Sequence, residues 1–348
     1  MLELARALNA DIYTGFVDYK NTFEDIKEAN VFEIGKFAKN LPSGMRIIYL
    51  MRKFRKLRLN HDFFIFSGTI CITAAENNKP NILYCHTPPR YIYDLRDWYD
   101  KHSSVLTRIG LWLLRRYVYE KDQCCMRQFD RIITNSKNVQ NRLRKYYGKK
   151  VYDKSDVIYS FIEYAKFRWQ KPEDFYLSIG RLDKLKRIDI IIDAFKKMPD
   201  KKLVVISSGP ELDNLKMLAQ GCGNIQIRGW VSEDEKIDLM SRCIATIYIP
   251  LNEDMGLSVL ETFAAGKPCI AANEGGLREL ITDGKDGLLI EADSGSLMNA
   301  VKHMTPSVAA RMKANCIRKT KIFSEKTFME KLKKMTRDVL KNRSFKNF

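Results

Sequence analysis

The sequence predicts an α/β protein of two doubly wound domains facing each other across a cleft. Three observations carry this. Short, nearly continuous apolar runs alternate with stretches of helical period through both halves of the chain, the pattern of parallel sheets covered on both faces. A length of 348 residues exceeds one ordinary core and makes two domains the natural number. The residues of chemical interest fall where the apolar runs stop, and doubly wound sheets bind ligands at the carboxyl ends of their strands.

In order along the first half, "LELARAL" reads as an opening helix. The strands predicted there are "ADIYTGF", "RIIYLM", "DFFIFSG", "NILYCH", "RIITNS" and "DVIYS". A long helical segment, "LTRIGLWLLRRYVYEKDQCCMRQF", lies among them. In the second half the predicted strands are "FYLSIGR", "KLVVISSG", "NIQIRGW", "CIATIYIP", "PCIAANE" and "GLLIE". The helices "KRIDIIIDAFKKM", "ELDNLKMLAQG", "SEDEKIDLMSRC", "GLSVLETFAAG" and "LRELITDG" fall between them. The boundary near 160–174 gives a first domain over 1–162 and a second over 163–325. A last helix within 326–348 has no strand after it and is expected to pack back on the first domain.

Composition narrows the function classes. Hydrophobic content of 45% with 29% charged residues describes a soluble globular protein. The longest apolar-leaning stretch, 63–75, contains Ser, Gly and Thr and is too short to span a bilayer. The opening residues lack a signal-peptide pattern, so the expected location is cytoplasmic, peripheral on the inner membrane face. Eight cysteines without a C-x-x-C pair point to reduced, mostly buried thiols, and four scattered histidines argue against a metal cluster. The net charge is +18, and the first 150 residues hold 27 Lys and Arg against 15 Asp and Glu. Such an excess suits nucleotides, nucleic acid or anionic lipid. No nucleic-acid recognition motif accompanies it, so specific nucleic-acid binding is not expected.

Four second-half segments and two first-half segments carry the chemistry. "YLSIGRLDKLK" ends a strand at Gly180 and places Arg181 and Lys186 before a helix, a receiver for a diphosphate. Basic residues in such a turn also serve solubility. "VISSGPE" turns at Gly209, which a tight turn alone explains. "IPLNEDMGLSVLETFAAGKP" puts Glu253 ahead of a helix and Glu261 inside it. The free N–H groups near Gly256, Leu257 and Ser258 favour an anion. Asp254 as a helix cap is the plainer account. "ANEGGLREL" has Gly275-Gly276 directly after a strand, suited to close backbone approach or to a turn. "NILYCHTPPR" sets His86 at a strand end and Arg90 four residues on, and "RIITNSKN" sets Ser136 as a helix cap at another strand end.

Together these segments resemble the family-4 retaining glycosyltransferases. "EDMGLSVLE" resembles their E-x7-E motif, "GRLDKLK" their G-R-L-x-x-x-K element and "NEGGLRELITDGKDGLLI" their GG-x-x-E stretch; "CHTPPR" is similar to the histidine segment of a mannosyltransferase-like branch. Order and spacing agree over about residues 2–325. The resemblance implies a GT-B fold of two Rossmann-like domains, with a nucleotide-sugar donor, GDP- or UDP-linked, held mainly by the second. It implies that Arg181 and Lys186 neutralise the diphosphate, that Glu261 holds the ribose, and that Glu253 contacts the transferred sugar. Gly180, Gly209 and the Met255–Ser258 backbone belong to the same donor site. His86 would touch the sugar from the first domain, with Arg90 and Ser136 on the acceptor side. No metal and no cofactor are implied beyond the donor. The expected reaction moves a hexose, mannose-type favoured, to a glycan or lipid-linked acceptor with retention of configuration. Contact with anionic membrane is expected through "RKYYGKK" and "RYIYDLRDWY".

One departure stands against this. Family members open with a strand and a glycine-rich loop before the first helix, whereas this sequence opens on "LELARAL". The expectation is an upstream start of the reading frame or a repacked first domain. A glycosyltransferase-like binding protein without turnover is the alternative function.

Overall fold

A computed structural model describes residues 2–19, 22 and 24–344. The chain divides into two compact units. The first holds the described residues up to Asn135, Val139–Val157 and the described residues from Lys333; the second holds Ser136–Asn138 and Ile158–Leu332. The final helix, Glu325–Ser344, therefore starts in the second unit and finishes in the first.

The first unit contains β1 (Ile12–Thr14), β2 (Val31–Glu33), β3 (Phe64–Ser67), β4 (Asn81–Cys85), β5 (Arg131–Thr134) and β6 (Ser155–Val157). They form a parallel four-stranded sheet in the order β3-β4-β5-β6 and a separate parallel pair, β1-β2. Every residue of β4 is buried, as befits an internal parallel strand. Its core joins Phe66, Leu83, Phe129, Ile132, Val139 and Leu143.

Sequence reading erred at "RIIYLM", which lies inside the helix Ser43–Arg55. Its β-branched pair Ile47-Ile48 imitates a strand, but the buried residues Leu50, Met51 and Phe54 recur at helical spacing. Strand β2 was overlooked because three residues offer too little period to read.

Among the described residues β1 and β3 each have one hydrogen-bonded neighbour, and both line a cavity of about 790 Å³ that also receives Leu4, Leu8, Leu50 and Phe54. Their burial is correspondingly incomplete: alternate residues of β3 and all three of β1 are only half-buried. An unpaired strand edge opens at lower free energy than a strand paired on both sides. Amide hydrogens of β1 and β3 are therefore expected to exchange before those of β4. Equal protection across the three strands, measured by hydrogen–deuterium exchange, would contradict this.

The second unit contains β7 (Tyr176–Ile179), β8 (Leu203–Ile206), β9 (Ile225–Gly229), β10 (Thr246–Tyr248), β11 (Cys269–Ala272) and β12 (Gly287–Ile290). They form one parallel sheet in the order β12-β11-β10-β7-β8-β9. The four inner strands are buried at every position, and only the edge strands β9 and β12 alternate or open to solvent. The amphipathic helix Ile188–Lys196 covers one face with Ile191, Ile192 and Phe195. The strand order reverses between β7 and β10, because the chain builds outward through β8 and β9 and then returns to the other side of β7. That reversal opens a crevice at the carboxyl ends of β7 and β10.

Candidate functional site

Four neighbouring strands, β11, β10, β7 and β8, end in the four second-half segments singled out above. After β7 the chain passes Gly180, and the Asp183 carboxylate accepts from the Leu185 N–H at 3.0 Å, closing the short turn Lys184–Lys186. Arg187 then takes a left-handed conformation, φ 53°, before the helix Ile188–Lys196. The turn directs Lys186 toward the end of β10. There its ammonium donates to Glu253 Oε2 at 2.7 Å and to the Tyr248 hydroxyl at 2.8 Å. A side chain built on Gly180 would sit in ordinary contact, 3.4 Å from the Tyr248 ring and 3.8 Å from the Lys186 stem.

Lys186 and Glu253 are partly buried, with side chains 20% and 18% exposed. Burial, reinforced by the Glu253 carboxylate, pushes the Tyr248 hydroxyl well above its usual pKa and keeps it neutral. An ammonium has three donors, and two are engaged here, which leaves the third for an anion in the crevice.

Backbone packing fixes the Glu253 loop. Gly276 N–H donates to the Glu253 carbonyl at 2.8 Å. A Cβ on Gly275 would lie 2.4 Å from the Glu253 carbonyl oxygen, and one on Gly276 would lie 2.2 Å from that of Asp254. The glycine pair thus approaches protein backbone. Glu274 ties the two sides of the crevice by pairing with Arg187 and accepting from the Asn252 N–H at 3.0 Å. Gly209 has a similar role, since a Cβ there would meet the Leu182 carbonyl oxygen at 2.3 Å.

Arg181 and Glu261 make contacts of their own. Arg181 is 73% exposed, and its approach to Asp183 is a long 3.9 Å. Glu261 accepts from Lys236 at 3.2 and 3.3 Å, and Lys236 also pairs with Glu233 at 2.9 Å. The structure therefore brings Lys186 and Glu253 together and gives Glu261 a separate cationic partner. The helix Leu257–Ala264 starts from Gly256, φ 97°, which supplies no side-chain cap. Asp254 is not its cap residue, a correction to the plainer reading. Met255 is buried behind this turn, Ser258 is half-buried and Leu257 is 48% exposed.

Ser136 precedes the helix Lys137–Tyr147 and is buried. Its hydroxyl donates to the Asp254 carbonyl at 2.6 Å. Glu279 accepts from the N–H groups of Lys137 at 2.8 Å and Asn138 at 2.7 Å at the start of that helix. A carboxylate at that place satisfies two orphan donors at once.

In the first unit His86 follows β4, with Nε2 2.9 Å from Ser67 Oγ and its ring edge-on to Tyr84. Part of the residue reaches solvent, yet desolvation of the ring lowers its pKa, so the imidazole is neutral near pH 7. Arg90 is held by Asp94, at 2.9 Å, which also lies 3.5 Å from Arg142.

Sequence reasoning missed Tyr248, Arg187, Glu274, Lys236 and Glu279. Only Glu279 carried a usable signal, as the glutamate of the GG-x-x-E stretch.

Comparison with known proteins gives a consistent result. The family model described as Glycosyltransferase Family 4 matches residues 2–166, and that described as Glycosyl transferases group 1 matches residues 162–315. An alpha-1,3/1,6-mannosyltransferase ALG2 of Dictyostelium discoideum is 24% identical over 308 residues, covering 75% of this chain and 70% of that protein. An uncharacterized glycosyltransferase of Methanocaldococcus jannaschii is 29% identical over 168 residues, covering 47% of this chain; the match spans only 46% of that relative's length. Among solved structures, sucrose-phosphate synthase from Thermosynechococcus elongatus superposes with a TM-score of 0.79 at 16% identity, over 98% of this chain and 92% of that one. Anabaena HepE in complex with UDP and glucose gives 0.72 at 17%, over 96% and 94%. At such identities the structures speak for the fold.

Proposed function

The chain belongs to glycosyltransferase family 4 and has the GT-B fold; from that premise we propose that it transfers a hexose, mannose-type favoured, from a nucleoside-diphosphate sugar to a glycan or lipid-linked acceptor. The observation that carries the reading is the Lys186–Tyr248–Glu253 cluster at the strand-order reversal of the second unit. A fixed, partly buried cation there stabilises the charge that develops on a departing diphosphate.

In this reading the bond from the anomeric carbon to the phosphate oxygen breaks, and the oxygen keeps the electron pair beside Lys186. The acceptor oxygen joins the same face of the sugar, and its proton passes to the departing phosphate oxygen. Glu253 orients the sugar hydroxyls and holds Lys186 in place. Arg181, exposed and weakly held, turns onto the diphosphate when donor binds. His86 and Arg90 serve the sugar and the acceptor. Side-chain cations in this role make the reaction independent of divalent metal, so a chelator leaves the rate unchanged. The mannosyltransferase name of one relative supports the sugar, and the UDP of one structural neighbour supports a nucleotide.

A thermal-shift panel of GDP, UDP and their common sugar conjugates tests the donor. One nucleotide is expected to stabilise the protein by about 2.7 kcal/mol at roughly 100 times its dissociation constant. Glu253→Gln is expected to weaken the response to the sugar conjugate more than the response to the free diphosphate. If no nucleotide moves the melting temperature, the reading fails.

A further inference from the structure

The helix Val105–Met126 has two apolar faces, and only one of them is used within the fold. Leu114, Val118 and Met126 are buried. Arg115 fastens that face, with Nη1 2.7 and 2.9 Å from the two Asp100 carboxylate oxygens and Nε 2.7 Å from the Tyr91 carbonyl. On the opposite side Leu106 is 83% exposed, Val105 62%, Leu113 57%, Trp112 56% and Ile109 53%. At 3.6 residues per turn these five side chains form one stripe about 120° wide. The stripe starts at the helix terminus itself, where Ser104 caps the Thr107 N–H at 3.3 Å. Single exposed apolar residues are ordinary; five contiguous ones on one helix mark an interaction face.

The charges around the stripe select its partner. Residues 101–119 contain no Asp or Glu. Lys101, Arg108 and Arg116 are exposed, and Arg116 falls within the stripe's own arc. A second copy of this face would meet it with like charge, whereas an anionic lipid surface meets it with opposite charge. No helix among the described residues is long and apolar enough to cross a membrane. An amphipathic stripe flanked by basic residues, with a tryptophan at one edge, matches a helix lying in the headgroup region.

We propose that the Val105–Leu113 stripe, with Lys101, Arg108 and Arg116, docks this protein on an anionic bilayer. This relocates the membrane contact expected from the sequence. Within "RYIYDLRDWY" and "RKYYGKK", Tyr93 stacks on Tyr146 at 4.6 Å, and the Tyr93 and Tyr147 hydroxyls donate to Asp122 at 2.6 and 2.7 Å. The proposal deepens the reading of a lipid-linked acceptor, on which it rests only for its purpose. Binding is measured without donor or acceptor, so its failure leaves the transfer reading standing.

The test is flotation of the full chain with vesicles of phosphatidylcholine alone and of phosphatidylcholine with phosphatidylglycerol. The protein is expected to float with the anionic vesicles and less as salt rises. Leu106→Glu with Trp112→Glu should weaken binding at least roughly tenfold, with an unchanged circular dichroism spectrum and melting temperature, because both side chains are exposed. Brominated lipid should quench the fluorescence of the protein more than that of its Trp112→Phe variant. Absence of flotation, equal flotation of the double variant, or a dimer in sedimentation that the double variant dissociates would each overturn the proposal.

Discussion

Replacing Lys186 by alanine is expected to lower the transfer rate by about 10²–10³-fold, the scale for removing one preorganised charge-stabilising donor. The ammonium is already aimed by Glu253 and Tyr248, so no reorganisation is needed when charge builds on the leaving group. The same substitution leaves Glu253 without its 2.7 Å partner. That carboxylate is still 18% exposed and can turn toward water, which limits the stability loss to about 1–3 kcal/mol. The loss should appear in kcat more than in KM, because the interaction strengthens as the bond breaks. Rate and melting temperature measured on one preparation separate the two effects. A rate that falls only as far as the folded fraction falls would show Lys186 to be a structural residue.

Gly276→Ala is expected to cost about 3 kcal/mol of stability and to loosen the site. The added methyl would stand 2.2 Å from the Asp254 carbonyl oxygen and 2.8 Å from its carbonyl carbon, and backbone cannot swing aside as a side chain can. The strand-end loop carrying Glu253 must move, and Lys186 loses its anchor with it. Gly284→Ala supplies the comparison: its φ of 72° strains any side chain, but nothing lies within 4 Å of the added carbon. Backbone strain of that kind costs about 1–2 kcal/mol. Urea unfolding of the two variants should separate them clearly, and donor affinity should fall only for Gly276→Ala. Equal stability would mean that the loop has room the structure does not show.

The second unit was legible because its inner strands are buried on both faces, so each is a near-continuous apolar run closed by Gly, Pro or a polar residue. That grammar located all six strands and the ends of β7, β8, β10 and β11, hence Gly180, Lys186, Gly209 and Glu253. It failed at "RIIYLM", where β-branched residues sit on a helix, and at β2, which is too short to show a period. Within the site, contacts between distant segments left no local trace. Glu261 finds Lys236 across 25 residues, and Tyr248 is a buried aromatic inside a strand until the fold sets it beside Lys186. In the same way Glu279 accepts from the Lys137 and Asn138 N–H groups across 142 and 141 residues. Exposure is likewise invisible to pattern. The helix Val105–Met126 mixes apolar and charged residues along its length, and only packing tells its buried apolar face from the open one.

Turnover of a nucleoside-diphosphate sugar by the second unit, as proposed above, is open to direct assay. Release of nucleoside diphosphate from GDP-mannose, UDP-glucose and UDP-N-acetylglucosamine, followed with a membrane lipid extract as acceptor, tests it most directly. Release from one donor is expected, with labelled sugar appearing in acceptor and a loss of both by about 10²–10³-fold in Lys186→Ala. Donor binding without release, or release that Lys186→Ala leaves intact, would contradict it.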